Sequence, residues 1–180
     1  LEGEDFDVLK AHGVTVACCP ASNLKLASGY ANVPKMLEMG IHVALGTDGA
    51  ASNNNLNILQ DLYLFAVVYK GYYHDSTLIT PAQALYAATR AGALSQGRED
   101  SGRLAVGCKA DLCVINTDTP QFTPMTDAAC NVVYAAQGAD VRLTMVDGEV
   151  LYRDGEYRTI DIEKVKAEAQ RHTDAILRSL

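Results

Sequence analysis

No apolar run in these 180 residues approaches the roughly 18 consecutive residues that a membrane-spanning helix needs, so no spanning segment is expected. Clusters of lysine or arginine are missing too. With 15 basic against 22 acidic side chains the formal net charge is -7, a balance that disfavours nucleic acid and anionic membrane as partners. A small neutral or cationic molecule is the easier ligand. The absence of a glycine-rich phosphate loop or basic cradle removes support for a nucleotide- or sugar-binding module. The cysteines Cys18, Cys19, Cys108, Cys113 and Cys130 include no C-x-x-C pair. An odd count at irregular spacing suits reduced thiols packed in a core better than a disulfide framework or a structural zinc knot. Repeats, low-complexity tracts and linkers are absent. Leu1-Glu2-Gly3-Glu4-Asp5 is acidic where a secretory leader would be basic, and the cytoplasm is the expected compartment.

What is present, with 48% hydrophobic side chains, is enough for one sizeable core and a smaller lobe. The chain is organised around Gly40-Ile41-His42-Val43-Ala44-Leu45-Gly46-Thr47-Asp48-Gly49. Its first half reads as a buried strand over 41–45, rich in aliphatic and β-branched residues. Its second half is a glycine-bounded turn carrying one acid, Asp48. Ligands of α/β enzymes collect at the carboxyl ends of parallel strands, which makes Asp48 the foremost candidate for chemistry. Ordinary turn chemistry also explains an Asp before a Gly, so these ten residues alone leave both readings open.

Upstream, residues 4–11 have the pattern of a short surface helix closed by Gly13, and Val14-Thr15-Val16-Ala17-Cys18 is a second β-type run stopped by Pro20. Residues 21–29 read as a long loop, and 33–39 as a helix opened by Pro34 and ended by Gly40. Strand, loop, helix and strand in that order form a βαβ unit, which places the Ser22-Asn23 loop and the Asp48 loop on one rim. The polar stretch 50–55 reads as a loop of capping residues before a helix over 56–69 that is apolar on several faces. Thr80-Pro81-Ala82-Gln83 predicts a capped helix running to Gly92. From Ser101 the texture becomes strand-like: glycine-marked turns around short runs at 102–115, then strands at 132–134, 141–146 and 149–152, with Asp147-Gly148 as a hairpin signal. Asp161 caps a final amphipathic helix.

Four segments, taken together and in this order, resemble the carboxyl-terminal portion of the metal-dependent amidohydrolase superfamily, in the branch of the 5′-methylthioadenosine/S-adenosylhomocysteine deaminases, chlorohydrolases and guanine deaminases. They are Pro20-Ala21-Ser22-Asn23-Leu24-Lys25-Leu26-Ala27-Ser28-Gly29, Gly46-Thr47-Asp48-Gly49-Ala50-Ala51-Ser52-Asn53-Asn54, Thr80-Pro81 through Ala88-Thr89, and Gly102-Arg103-Leu104 with Gly107 and Ala110-Asp111-Leu112. The resemblance implies an α/β fold: the last strands and helices of a (β/α)₈ TIM barrel over 1–98, part of a small β-sandwich over 99–160, and a C-terminal helix over 161–180. It implies that Asp48 is both a ligand of a divalent metal, zinc foremost with iron as the other candidate, and the carrier of the proton of the water that the metal activates. Ser22, Asn23 and Ser52 are implied to line the pocket for a small aminated heterocycle, which is hydrolytically deaminated with loss of ammonia.

The remaining family ligands are histidines from earlier barrel strands. None of His12, His42, His74 and His172 stands where they belong, and each reads as structural or exposed. A catalytic zinc takes about three protein ligands plus water. This chain alone is therefore expected to be inactive and not to retain the metal. Cys18 stands where many relatives have histidine, and a thiol there cannot act as a cationic donor at neutral pH. The expected partner is either the missing amino-terminal half of the barrel or a second copy of the chain, because open strand edges demand cover; a homo-oligomer is expected. The competing expectation is a non-catalytic truncated or proteolytic fragment that self-associates through those edges.

Overall fold

The computed structural model describes residues 3–179; Leu1 and Glu2, part of the acidic start, and Leu180 lie outside the described residues. The first helix, α1 (Asp5–Ala11), buries only Phe6 among its residues and leads through Gly13 into β1 (Thr15–Cys18). The stretch read as a long loop begins instead with a helix, α2 (Pro20–Lys25). Pro20 stands in its first turn, where a missing N–H is harmless and the fixed φ favours helix. Next, α3 (Val33–Glu38) is capped by Asn32, whose side chain accepts from Lys35 N, and Val33 and Met36 are buried. The chain then enters β2 (His42–Leu45), which pairs with β1 in parallel register, Thr15 opposite His42 and Cys18 opposite Leu45. Both carboxyl ends therefore open on one side, as the βαβ order predicts.

The polar stretch after Asp48 forms a single helical turn, α4 (Ala50–Asn53), ended by Asn54 in the left-handed conformation (φ 65°). The long helix α5 (Ile58–Tyr73) starts at an Asn57 cap and buries Asp61, Leu62, Phe65, Ala66 and Tyr69 against the sheet and its other helices. Phe65 and Ala66 have no exposed surface. A fully buried side chain of the size of Phe65 stabilises the fold by roughly 1.5–3 kcal/mol. The Thr80 and Gln83 side chains make the predicted reciprocal cap of α6 (Pro81–Ala88). The helix does not run on to Gly92: the backbone breaks at Thr89 (φ -129°, ψ -84°) and resumes as α7 (Arg90–Ser95).

The carboxyl-terminal half departs from expectation in two places. Residues 102–111 make turns rather than strands, and the first strand is β3 (Leu112–Ile115). Val132-Val133-Tyr134 is helical, part of α8 (Ala128–Ala135), whose start is fixed by Asp127 accepting from Cys130 N at 2.7 Å. Burial of Val133 in the core with α5 and α6 overrides the β-propensity of those side chains. The remaining strands, β4 (Val141–Val146), β5 (Glu149–Arg153) and β6 (Glu156–Tyr157), join β3 in an antiparallel sheet of order β3-β4-β5-β6. The turns between them carry positive φ at Asp147, Gly148, Asp154 and Gly155, the hairpin geometry that Asp-Gly pairs favour. Asp161 caps α9 (Ile162–Leu177), which lies on the surface with Val165, Ile176 and Leu177 exposed. Cys18 is buried, Cys19, Cys108 and Cys130 are half-buried and Cys113 is exposed, so core packing accounts for Cys18 alone. No helix among the described residues is long and apolar enough to cross a membrane.

Candidate active site

Parallel pairing puts the turns after β1 and β2 side by side. At the exit of β2, Asp48 adopts φ 61°, a left-handed backbone that Asp tolerates better than most residues. Its carboxylate is exposed and faces the loop of the neighbouring strand. There Ser22, 3% exposed, donates from Oγ to Asp48 Oδ2 at 2.7 Å, while Gly49 N–H donates to Oδ1 at 2.7 Å. The Ser52 hydroxyl lies beside the carboxylate, its oxygen also 3.0 Å from the Gly49 carbonyl oxygen. Together the Ser52 hydroxyl, the Ser22 hydroxyl and the Gly49 amide hold the Asp48 carboxyl below its ordinary range, because each stabilises the ionised form.

The predicted residues thus meet unequally. Ser22 and Ser52 converge on Asp48, and the Ser22 hydroxyl is committed to it. Asn23 is half-buried on α2, its backbone N–H bonded to Cys19 O at 3.0 Å. The Cys18 thiol turns into the core, 3.5 Å from the buried Tyr69 hydroxyl, and burial raises the pKa of both groups. Cys19 is the thiol next to the site: the Asp48 backbone amide donates to its sulfur, although burial still lifts its pKa. The closeness shows at Gly46, where a Cβ would meet the Cys19 sulfur at 3.2 Å. His42 projects to the surface from β2, and His74 ends α5 with φ 54°.

Two residues of the site escaped the sequence reading. Asp61 is 1% exposed on the first turns of α5, accepting from Ala21 N at 3.0 Å and from Asn53 Nδ2 at 3.0 Å. Asn53 does more than cap a helix: the same amide nitrogen donates to the Thr47 carbonyl at 2.7 Å. The available signal was an acid standing alone at the start of an apolar helix, four residues after the Asn57 cap. At the rim, Lys25 Nζ donates to Ser52 O at 2.8 Å and also bonds Asn54 Oδ1.

As a metal site this donor set fits one corner only. Asp48 presents an ionised, exposed carboxylate able to give a metal one oxygen ligand. Among the described residues no group of three or more His, Cys, Asp or Glu side chains is placed to hold a metal ion. The cavity of about 440 Å³ on the antiparallel sheet, lined by Val141, Thr144, Leu151, Tyr152 and Tyr157 among others, contains none of these site residues.

A model of the amidohydrolase family matches residues 1–151. A 5-methylthioadenosine/S-adenosylhomocysteine deaminase of Acetivibrio thermocellus is 44% identical over 179 residues, covering 99% of this chain and 42% of that protein. A 5′-deoxyadenosine deaminase of Methanosarcina mazei is 42% identical over 177 residues, covering 98% of this chain and 41% of that protein. The chain thus spans about two fifths of the length of these curated relatives. Among solved structures, an adenosine deaminase from Xanthomonas campestris with bound zinc superposes at TM-score 0.95 with 31% identity, over 100% of this chain and 41% of that one. An atrazine chlorohydrolase from Arthrobacter aurescens complexed with zinc superposes at TM-score 0.85 with 29% identity, over 93% of this chain and 37% of that one.

Proposed function

Since the chain belongs to the amidohydrolase family, we propose that it is the carboxyl-terminal part of a metal-dependent deaminase that hydrolyses the exocyclic C–N bond of an adenosine-type nucleoside. The observation that carries this reading is Asp48: an ionised carboxylate at the open end of a parallel strand, braced by a serine from the next strand's loop. The names of the relatives point the same way, toward 5-methylthioadenosine, S-adenosylhomocysteine and 5′-deoxyadenosine. On this reading β1 and β2 are the last two strands of a (β/α)₈ barrel, residues 99–160 belong to a small β-sandwich, and the upstream polypeptide completes both.

When bound, a divalent cation, zinc foremost, supplies a water acidic enough to attack at neutral pH. Asp48 would give that cation one carboxylate oxygen. Its other task is to take a proton from the attacking water and deliver it to the departing amino nitrogen, so that a C–O bond forms, the C–N bond breaks and ammonia leaves. Ser22 and the Gly49 amide hold the carboxylate in one orientation for both tasks. Ser52 and Asn23 stand on the same rim and contribute to its polar lining. With one ligand of its own, this chain is inactive until the rest of the barrel joins it. The compartment proposed for this reaction is the cytoplasm.

The test is ammonia release by the complete enzyme from 5′-methylthioadenosine, S-adenosylhomocysteine and adenosine. Asp48→Asn keeps the left-handed turn and removes the base, and it is expected to lower kcat by roughly 10²–10⁴-fold. No ammonia from any of the three with zinc or iron supplied, or an Asp48→Asn enzyme within about tenfold of the parent, overturns the assignment.

A further inference from the structure

Asp61 is a buried acid whose two oxygens are divided between two segments. Oδ1 accepts from the backbone of Ala21 at the start of α2, just after β1, and Oδ2 accepts from the Asn53 amide in α4, just after β2, each at 3.0 Å. The second proton of that amide goes to the Thr47 carbonyl at 2.7 Å. Thr47 O belongs to the peptide unit that enters Asp48, so fixing it fixes the rotation at which Asp48 takes φ 61°. One continuous path of hydrogen bonds therefore runs from Ala21 through Asp61 and Asn53 to the peptide that aims the Asp48 carboxylate at Ser22.

Packing does not require an acid at this place. Its neighbour Leu62 fills buried volume without one, and among the described residues no lysine or arginine makes an ion pair with Asp61. A buried carboxylate served by neutral donors carries a desolvation penalty that an apolar side chain of the same volume avoids. What the carboxylate does, and an apolar residue does not, is bond both turns at once. We infer that Asp61 is a positioning residue: it ties the Ser22 turn to the Asp48 turn and holds the Asp48 backbone in the conformation from which its carboxylate serves the reaction. The inference rests on the reading of Asp48 as metal ligand and proton carrier, and it reaches the chemistry only through that residue.

Asp61→Asn is the discriminating change, because the amide keeps the volume but replaces one acceptor by a donor. Its NH₂ must then face either the Ala21 N–H or the Asn53 NH₂, and one link of the path is lost. In the complete enzyme, zinc affinity by competition with a chromogenic chelator and kcat are each expected to fall roughly 10- to 100-fold, with KM changed by less than about threefold. In the Asp48→Asn background the same change is expected to add less than about twofold to the loss of zinc affinity, since it acts through the residue already altered. Hydrogen–deuterium exchange of the metal-free protein gives a readout independent of catalysis. Exchange should quicken in residues 20–25 and 46–54 and stay unchanged in the antiparallel sheet. Should Asp61→Asn fail to fold, Asn53→Ala cuts the same path and carries the same expectations. Zinc affinity and exchange in these segments matching the parent, or a loss of kcat fully additive with Asp48→Asn, overturns the inference. If the parent enzyme releases no ammonia yet exchange quickens in these segments alone, the deaminase reading fails while the positioning of the Asp48 turn by Asp61 stands.

Discussion

Replacing Gly102 by alanine tests how the turn at 101–103 packs on the break between α6 and α7. Gly102 has φ 75°, and a Cβ built on it meets Ala93 Cβ at 2.8 Å, Arg90 Cα at 2.9 Å and the Thr89 carbonyl oxygen at 2.9 Å. The last two are backbone atoms at the break between α6 and α7, and they have little room to yield. Arg90 pins them further by donating from Nη1 to Glu99 O at 2.9 Å and to Ser101 O at 2.6 Å. Placing alanine in the left-handed region costs about 1–2 kcal/mol. Forcing a methyl into a filled space adds about 1–3 kcal/mol. Restricting the unfolded chain returns about 0.4–1 kcal/mol. The net destabilisation is about 3 kcal/mol by these terms. Gly107 is the control, since it has φ 85° with nothing within 4 Å of its built Cβ. There the steric term is absent, and the backbone cost less the unfolded-chain return leaves Gly107→Ala costing about 1 kcal/mol. The assay is urea unfolding of parent and both variants under identical buffer, read as midpoint shifts at common slope. Equal shifts for the two variants would refute the steric reasoning, because the contact at Gly102 would then have no measurable effect.

Two further outcomes follow from interactions away from the site. The Asp111 carboxyl is held below its ordinary range, chiefly by the Asp147 backbone N–H at 2.7 Å, so its contribution is full above its unfolded value near pH 4 and is lost as pH falls through its lower folded value. Asp111→Asn should therefore lower the melting temperature at pH 7, with the gap to the parent closing below about pH 4; a gap constant from pH 7 to pH 3 contradicts this. Thr80→Ala removes the hydroxyl that accepts from Gln83 N at 3.3 Å and should destabilise by about 1 kcal/mol in thermal melting, whereas Ser at this position should restore the cap.

The parts of the fold legible in the sequence are those written in local punctuation. Gly13, Pro20, Pro34 and Gly40 mark off the βαβ unit, Thr80 with Gln83 announces α6, and Asp147-Gly148 places the hairpin turn between β4 and β5. Asp48 is legible because it stands at a strand exit between glycines. Residues 132–134 misled because β-branched side chains prefer strands locally, whereas Asp127 and burial of Val133 decide for a helix. The 20–25 helix is hidden by its polar Ser22 and Asn23; the place of Ser22 is set by a contact across to the Asp48 turn. Asp61 was illegible for a deeper reason: its partners lie 40 and 8 residues away, and no periodicity records a bond between turns of different strands.

The left-handed backbone at Asp48 also shapes how this protein can decay. Aspartate, asparagine and glycine tolerate that conformation, while a β-branched or bulky residue there is strained. Drift away from aspartate therefore runs most easily through two residues that erase the negative charge and leave the surrounding architecture intact. A descendant altered in that way would superpose on its ancestor along the whole main chain, yet it would lack the carboxylate on which the proposed proton transfer depends. Inherited shape at this strand end is thus no guarantee of inherited chemistry.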